Sequence, residues 1–474
     1  MSTIAQPVRV RFAPSPTGNL HIGGLRTALF NQLFARHNNG TFVLRIEDTD
    51  EVRSEEKYTQ GLLEALKWCG ITSDEPLVFQ SQRKDVYAQV VLNLIAQEKM
   101  YRCVCTEQEI QARVRAQGNN QEHFMYDNYC RRQNIEAFCD KPFVVRFALP
   151  DNLTEIIVDD LILGKVVFSG DQFDDFILIR SDGTPTYNFA VVIDDNFMNI
   201  SHVIRGQEHL GNTPKQILLY RACNFSIPQF AHIPLILSPN GGKLSKRDGA
   251  VDVLAYRKQG FLPDALVNYM VRLGWAYKDQ EIFNRSELVQ FFTLDNVGKK
   301  GGIFDVQKLE WVNTVYIKNL SPESILSWIE NDIYLDLSST CSNWTKTQLI
   351  SMISLYKERV KTGQELAQAI ISVYTGPVNL EMITQEEWYN KDNVIHLLKL
   401  VSYLENASFT KKELSELIKA FITEQALPLM IIAQPMRFGL TGSVTAPGIY
   451  DLLETLGKEE SLIRLKKLKS IIAI

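Results

Sequence analysis

Arg11-Phe12-Ala13-Pro14-Ser15-Pro16-Thr17-Gly18-Asn19-Leu20-His21-Ile22-Gly23-Gly24 turns the chain from a strand into a helix. Just upstream, Val8-Arg9-Val10-Arg11-Phe12 alternates with the period of a strand. The Pro, Ser and Gly of 13–18 then force the backbone through turns. From Gly24 onward Leu25, Leu29, Phe30, Leu33 and Phe34 recur at helical spacing, until Asn38-Asn39-Gly40 stops the helix. Phe42–Ile46 is a second short apolar strand, ending in Glu47-Asp48. Strand, helix and strand in this order predict a parallel α/β sheet, whose ligands bind where a strand gives way to a helix. Gly23 and Gly24 leave room for a phosphate to approach backbone N–H groups at the helix start, and His21 adds a ring donor. Taken alone, the same residues equally describe a tight turn with a satisfied histidine.

Working outward, residues 101–185 change character. Val144–Leu149, Ile156–Val158 and Lys165–Phe168 read as short strands between Gly and Asp turns, which predicts a β-rich insertion. Phe189–Ile193 reads as a buried strand, followed by a strand at His202–Ile204, a helix at Thr213–Cys223 and a strand at Ile233–Leu237. The α/β domain is therefore expected to be interrupted, with residues 1–100 and 186–240 forming its two parts. Beyond residue 250 helical spacing takes over at Asp264–Leu273, Pro322–Ile329, Lys346–Tyr356, Lys411–Phe421 and Ile449–Leu456. Two further regions are expected, a basic loop with helices at 241–321 and a helical region at 322–474.

Composition narrows the classes. A length of 474 residues is enough for about three domains. With 45% apolar and 22% charged residues, a disordered or fibrous chain is excluded. The net charge of −5 announces no global field for nucleic acid, although a local basic face remains open. No run of about 18 apolar residues and no signal pattern occurs, so neither a membrane span nor export is expected. Seven cysteines, an odd number, fit a reduced cytoplasmic protein whose clustered thiols serve metal or chemistry.

Two clusters carry chemistry besides the first motif. Gly241-Gly242-Lys243-Leu244-Ser245-Lys246-Arg247-Asp248-Gly249 sets three cations in five residues between glycines. Such a loop can fold over a polyphosphate, its lysines neutralising charge that grows during attack at phosphorus; it also reads as a plain solvated basic loop. Cys103-Val104-Cys105 and Tyr126-Asp127-Asn128-Tyr129-Cys130 bring three thiols into one short segment. Thiolates suit Zn²⁺, but three do not close a four-ligand site, and His123 competes for the fourth place. Unmetallated buried cysteines are the plain alternative.

Together the first motif and the basic loop resemble the HIGH and KMSKS signatures of class I aminoacyl-tRNA synthetases. Arg45-Ile46-Glu47-Asp48-Thr49-Asp50, Pro185-Thr186-Tyr187-Asn188, Val203-Ile204-Arg205-Gly206 and Lys308-Leu309-Glu310-Trp311-Val312-Asn313 extend the likeness. So does Leu440-Thr441-Gly442 near the end, and the whole is similar to the bacterial glutamyl-tRNA synthetase family. Gly24 stands where the general signature has its final His, Leu244 where it has Met, and Arg247 where it has the last Ser.

The resemblance implies a Rossmann-like class I catalytic domain, its 101–185 insertion binding the acceptor stem, followed by helical stem-contact and anticodon-binding domains. It implies activation of L-glutamate by ATP with Mg²⁺, in a step that needs tRNA, and transfer to the 3′ end of tRNA(Glu) by a monomer. His21, Gly23, Gly24, Glu208, Lys243 and Lys246 would contact ATP, with His21 and the two lysines catalytic. Arg11, Ala13, Ser15, Glu47, Tyr187 and Arg205 would form the glutamate pocket, the arginines on carboxylate and Glu47 on the ammonium. Relatives with a C-x-C…Y-x₃-C pattern imply structural Zn²⁺ on Cys103, Cys105, Cys130 and Tyr126. Arg359, read as helix-borne with Glu358 and Glu365 nearby, would meet the third anticodon base. Two alternatives stay open: an enzyme that also charges tRNA(Gln), and a zinc-bearing RNA-binding paralogue without aminoacylation.

Overall fold

A computed structural model describes residues 7–49, 55–116, 125–133, 141–242, 244, 252–377, 389–443 and 446–472. Two compact units divide the chain, one within Met1–Val253 and Val267–Asp305, the other within Leu254–Leu266 and Val306–Ile474. The expected 241–321 region is thus shared between them. No helix among the described residues is long and apolar enough to cross a membrane.

The first unit opens with β1 (Arg9–Phe12), α1 (Ile22–His37), β2 (Thr41–Ile46), α2 (Glu56–Trp68), β3 (Val78–Phe79) and α3 (Lys84–Ala96). There follow β4 (Met100–Cys103), α4 (Glu107–Ala116), α5 (Tyr129–Arg132), β5 (Val144–Phe147), β6 (Glu155–Asp160), β7 (Gly164–Ser169) and β8 (Ile177–Ile179). Then come α6 (Tyr187–Phe197), β9 (His202–Gly206), α7 (Thr213–Ala222), β10 (Gln229–Ile233), β11 (Ile236–Leu237) and β12 (Gly302–Ile303). Seven strands form the main sheet in the order β3-β2-β1-β9-β10-β6-β7. All its pairs are parallel except the β6–β7 hairpin. This is the parallel α/β sheet that the strand–helix–strand order predicts. Leu25, Leu29, Phe30 and Leu33 of α1 are buried as their spacing requires, and Asn31 Nδ2 donates to the Ile204 carbonyl at 2.9 Å, fastening α1 to β9.

Three expectations need correction. The first is Phe189–Ile193, which is not a strand but the core of α6. Its five consecutive apolar residues are all 1% exposed or less. A helix buried on every side shows no polar stripe, so periodicity could not separate it from a buried strand. Second, Ile233–Leu237 is two strands. Pro234 has no N–H to continue the ladder, and its carbonyl is taken by the Arg26 guanidinium instead. Third, the β-rich insertion is not one separate body. Its β4, β5 and β8 form a small antiparallel sheet, but β6 and β7 extend the main sheet through pairing of Asp160 with Phe230.

The second unit is helical, as its spacing predicts, with helices at Pro322–Trp328, Lys346–Tyr356, Lys411–Glu424 and Ile449–Leu456. Polar caps mark the starts. Ser321, Thr345 and Thr410 each accept a backbone N–H of the first turn, and Thr345 with Gln348 completes a capping box.

Candidate active site

His21 is the N-cap of α1, its Nδ1 accepting from Gly24 N–H at 3.2 Å. An accepting Nδ1 leaves the proton of a neutral ring on Nε2. A Cβ on Gly23 would stand 3.0 Å from the His21 ring, and one on Gly24 would press into Leu20. A side chain at either position would thus have to displace the His21 ring or the Leu20 tip.

Beneath this turn lies a ladder of buried charge. Arg11 on β1 donates through Nε to Asp195 of α6 at 3.1 Å. Arg45 on β2 is fully buried and reaches Asp195 at 2.7 Å, Glu47 at 3.4 Å and Asp194 at 3.9 Å. Asp194 in turn accepts from Gln80, Arg83 and Tyr87. Burial alone would raise the Asp195 pKa, but Arg11 and Arg45 hold it below the ordinary carboxylate range. Glu47 comes out the other way: burial raises it, and Arg45 and Arg11 offset only part of the rise. Only Nε of Arg11 is engaged among the described residues, so its two terminal nitrogens can still fork a carboxylate.

Arg205 on β9 is also buried, and among the described residues no carboxylate pairs with it. Its partners are neutral: Thr213 Oγ1 at 2.7 Å, His232 Nε2 at 3.2 Å, and Tyr187 Oη and the His209 carbonyl at 3.4 Å each. Burial depresses its pKa accordingly, and pushes neighbouring His209 down to about 4. A buried guanidinium left with neutral partners favours an incoming anion.

These groups open into two cavities. One, of about 390 Å³, is lined by all six residues expected for glutamate, from Arg11 to Arg205. The other, of about 700 Å³, is lined by Arg26, Tyr58, Leu235, Ile236 and Asp252 among others. His21, Gly23, Gly206 and Glu208 belong to both walls, so the cavities meet at the capping turn. Lys243 and Lys246 lie outside the described residues.

The cysteine cluster forms as expected. The Cys103, Cys105 and Cys130 sulfurs all lie within 4.8 Å of one another. Tyr126 Oη is 3.3 Å from Cys103 Sγ and 3.9 Å from Cys105 Sγ. A tetrahedral zinc with bonds of about 2.3 Å separates its sulfurs by roughly 3.8 Å, so the donor set fits. Burial pushes the Cys105 thiol up to about 12, the Cys130 contact adding to it, and also raises Tyr126; a metal would displace these protons. His123 lies outside the described residues.

Arg359 is not helix-borne. It sits exposed in the turn after helix Lys346–Tyr356, where its N–H bonds the Tyr356 carbonyl. Its expected acidic neighbours bond elsewhere, Glu358 to Lys318 and Glu365 to the Lys361 N–H. Sequence reasoning missed Asp194, Asp195, Asp160 and His232. A signal existed for the first pair, two acids closing an apolar run, but reading that run as a strand placed them in a loop.

Comparison with known proteins agrees with this geometry. Residues 7–311 match the family model of the class I tRNA synthetase (E and Q) catalytic domain, and 323–469 that of an anticodon binding domain. The glutamate–tRNA ligase of Thermodesulfovibrio yellowstonii is 45% identical, covering 97% of this chain and 99% of its own. That of Geobacter sulfurreducens is 43% identical, covering 97% and 98%. The crystal structure of a glutamate tRNA ligase from Elizabethkingia meningosepticum, in complex with its amino acid, superposes with a TM-score of 0.88 at 32% identity, over 98% of this chain and 100% of that one. A sheet with its ligand cavity at the β1–α1 turn, and likeness over nearly the full length, lead to one assignment: the chain belongs to the glutamate–tRNA ligase family of class I tRNA synthetases.

Proposed function

We propose that the protein joins L-glutamate to ATP as glutamyl-adenylate and transfers the glutamyl group to the 3′ end of tRNA(Glu). The observation that carries this reading is the buried Arg205 guanidinium, which no carboxylate pairs among the described residues, lining one cavity with Arg11 and Glu47, and that cavity shares the His21 wall with a second one. The arginines favour an amino acid with a side-chain carboxylate over its neutral amide, because an amide would leave the buried charge uncompensated. Glu47, ionised, would hold the α-ammonium, with Ser15 and Tyr187 bounding the pocket.

In the first step an α-carboxylate oxygen attacks the α-phosphorus, and the bond to pyrophosphate breaks. His21 would donate through Nε2–H to phosphate oxygen, while Lys243 and Lys246, by resemblance, neutralise charge moving toward pyrophosphate. Mg²⁺ bound with the ATP would neutralise phosphate charge. In the second step a hydroxyl of the terminal ribose attacks the carbonyl and AMP leaves, its phosphate taking the proton. No covalent enzyme intermediate is needed, so positioning and charge suffice. Glutamate-dependent pyrophosphate exchange tests the reading: exchange is expected with tRNA present and not without it. Robust exchange with glutamine and none with glutamate would refute it.

We further assign Cys103, Cys105, Cys130 and Tyr126 as a structural zinc site, on the fit of their spacing. Elemental analysis should give one zinc per chain after chelator-free purification, and loss of it in Cys130→Ser. A zinc-free wild type would remove the assignment and leave the catalytic reading intact.

A further inference from the structure

Three neighbouring strands of the main sheet carry Arg205, His232 and Asp160 in a row. The β9–β10 register sets Arg205 directly beside His232, and β10 pairs with β6 at Phe230 and Asp160. All three side chains are buried, His232 completely. Their contacts run one way. Asp160 Oδ2 lies 2.6 Å from His232 Nδ1, and His232 Nε2 accepts from Arg205 Nε at 3.2 Å.

We propose that His232 is a positioning residue for substrate carboxylate recognition, locked by Asp160 into the Nδ1–H tautomer so that its bare Nε2 aims the Arg205 guanidinium. This rests on the reading of Arg205 as a glutamate-binding residue.

The argument is one of hydrogen-bond direction. A guanidinium Nε can only donate, so a histidine facing it must offer a lone pair. If Nε2 carried a proton, two donors would meet in a dry interior. The carboxylate of Asp160 prevents this by demanding the proton on Nδ1. Asp160 is itself fixed: its Oδ1 accepts from the backbone N–H of Ile162 at 3.0 Å and Leu163 at 2.8 Å, and both oxygens lie near the His232 N–H. Burial keeps the imidazole below its ordinary pKa against the Asp160 hydrogen bond, and Arg205 adds to the depression, so the ring stays neutral. Thr213 Oγ1 accepts from the Arg205 terminal nitrogen at 2.7 Å and lies 3.1 Å from His232 Nε2. Together they hold the fork from its back, leaving the weaker 3.4 Å contacts to Tyr187 and the His209 carbonyl to yield when a carboxylate arrives. The β6–β7 hairpin therefore reaches the amino-acid pocket through a chain of three side chains, although Asp160 does not line it.

The test is a set of isosteric changes read as KM against kcat in the full-length enzyme with tRNA. Asp160→Asn keeps an oxygen for the Ile162 and Leu163 N–H groups but turns its NH₂ toward Nδ1, driving the histidine proton to Nε2. The KM for glutamate should rise about 10-fold or more, with kcat and the KM for ATP shifted less than about threefold. His232→Leu should do the same, and His232→Gln, which offers one donor and one acceptor and cannot titrate, should recover most of the loss. Arg205→Ala separates the two readings. If it leaves the glutamate KM unchanged, the pocket reading falls. If it raises KM while Asp160→Asn does not, only the positioning role falls. Should Asp160→Asn fail to fold, ¹⁵N-imidazole spectra of the wild type decide, with the signal identified by its absence in His232→Gln. A neutral Nδ1–H ring is expected; an Nε2-protonated or doubly protonated ring at neutral pH would overturn the inference.

Discussion

Arg11 and Arg205 near the pocket and Arg464 in the helical unit are all at least 95% buried, yet they are satisfied differently. Arg464 lies where two helices end. It donates to the Val373 carbonyl at 2.6 Å, Leu440 at 2.7 Å and Tyr374 at 3.1 Å, while Glu460 takes its Nε at 2.6 Å. Those carbonyls are the orphan acceptors of helix C-termini, where a cation is also favoured by the helix dipole. Four of its five N–H donors are taken and Glu460 meets its charge, so no uncompensated charge is left for a ligand. Arg11 keeps two uncommitted nitrogens, and Arg205 has no anion at all among the described residues. A finished arginine marks architecture; an unfinished one marks a site.

The largest test removes the acid that Arg11 and Arg45 share. Asp195→Ala should destabilise the first unit by about 3–5 kcal/mol, because two buried cations lose their common partner. The aspartate is depressed, so its contribution is present above the ordinary aspartate pKa and is lost as pH falls through the folded value. Thermal melting should therefore weaken below about pH 4 in the wild type and less steeply in Asp195→Asn. Equal acid slopes in the two proteins would refute the role given to this carboxylate.

A middle-sized effect is expected from Arg464→Ala, about 2–3 kcal/mol, since buried helix-end carbonyls would lose their donor. Calorimetry of the full chain should show the loss in one transition, with glutamate affinity unchanged. A matching fall in glutamate affinity would erase the distinction between the two kinds of arginine.

The smallest expected effect is a fraction of a proton. Burial raises Glu47 above the ordinary carboxylate range, and a substrate ammonium would favour its ionised form. Glutamate binding should therefore release protons, increasingly so as pH is lowered, measurable by titration calorimetry in buffers of different ionisation enthalpy. Proton uptake on binding would place the ammonium elsewhere.

What could be read from sequence was local. Turn residues at 13–18, the helical spacing after Gly24 and that at Pro322–Ile329, Lys346–Tyr356 and Lys411–Phe421 act within a few positions, so the elements they define emerge from the letters alone. Most residues of the first motif also converge on one cavity with Glu47, Tyr187 and Arg205. What escaped was set by distance along the chain. Asp195 meets Arg11 across 184 positions and Asp160 meets His232 across 72, and no periodicity reports such pairs. The α6 error had a related root: Val191, Val192 and Ile193 favour strands intrinsically, and a run buried on all sides carries no polar stripe to mark it as a helix.

The strand order has a consequence for synthesis. β1 lies between β2, made just after it, and β9, whose approach is marked by the Arg9 N–H bond to Ser201 across 192 positions. At roughly 5–20 residues per second, β9 leaves the ribosome about 10–40 s after β1. During that interval the nascent β1–α1–β2 segment carries an open sheet edge, and the β6–β7 hairpin waits for β10 as well. The mature sheet can close only when both late strands arrive. A pause in translation between residues 47 and 201 would therefore lengthen the time in which that edge can pair with a neighbouring chain.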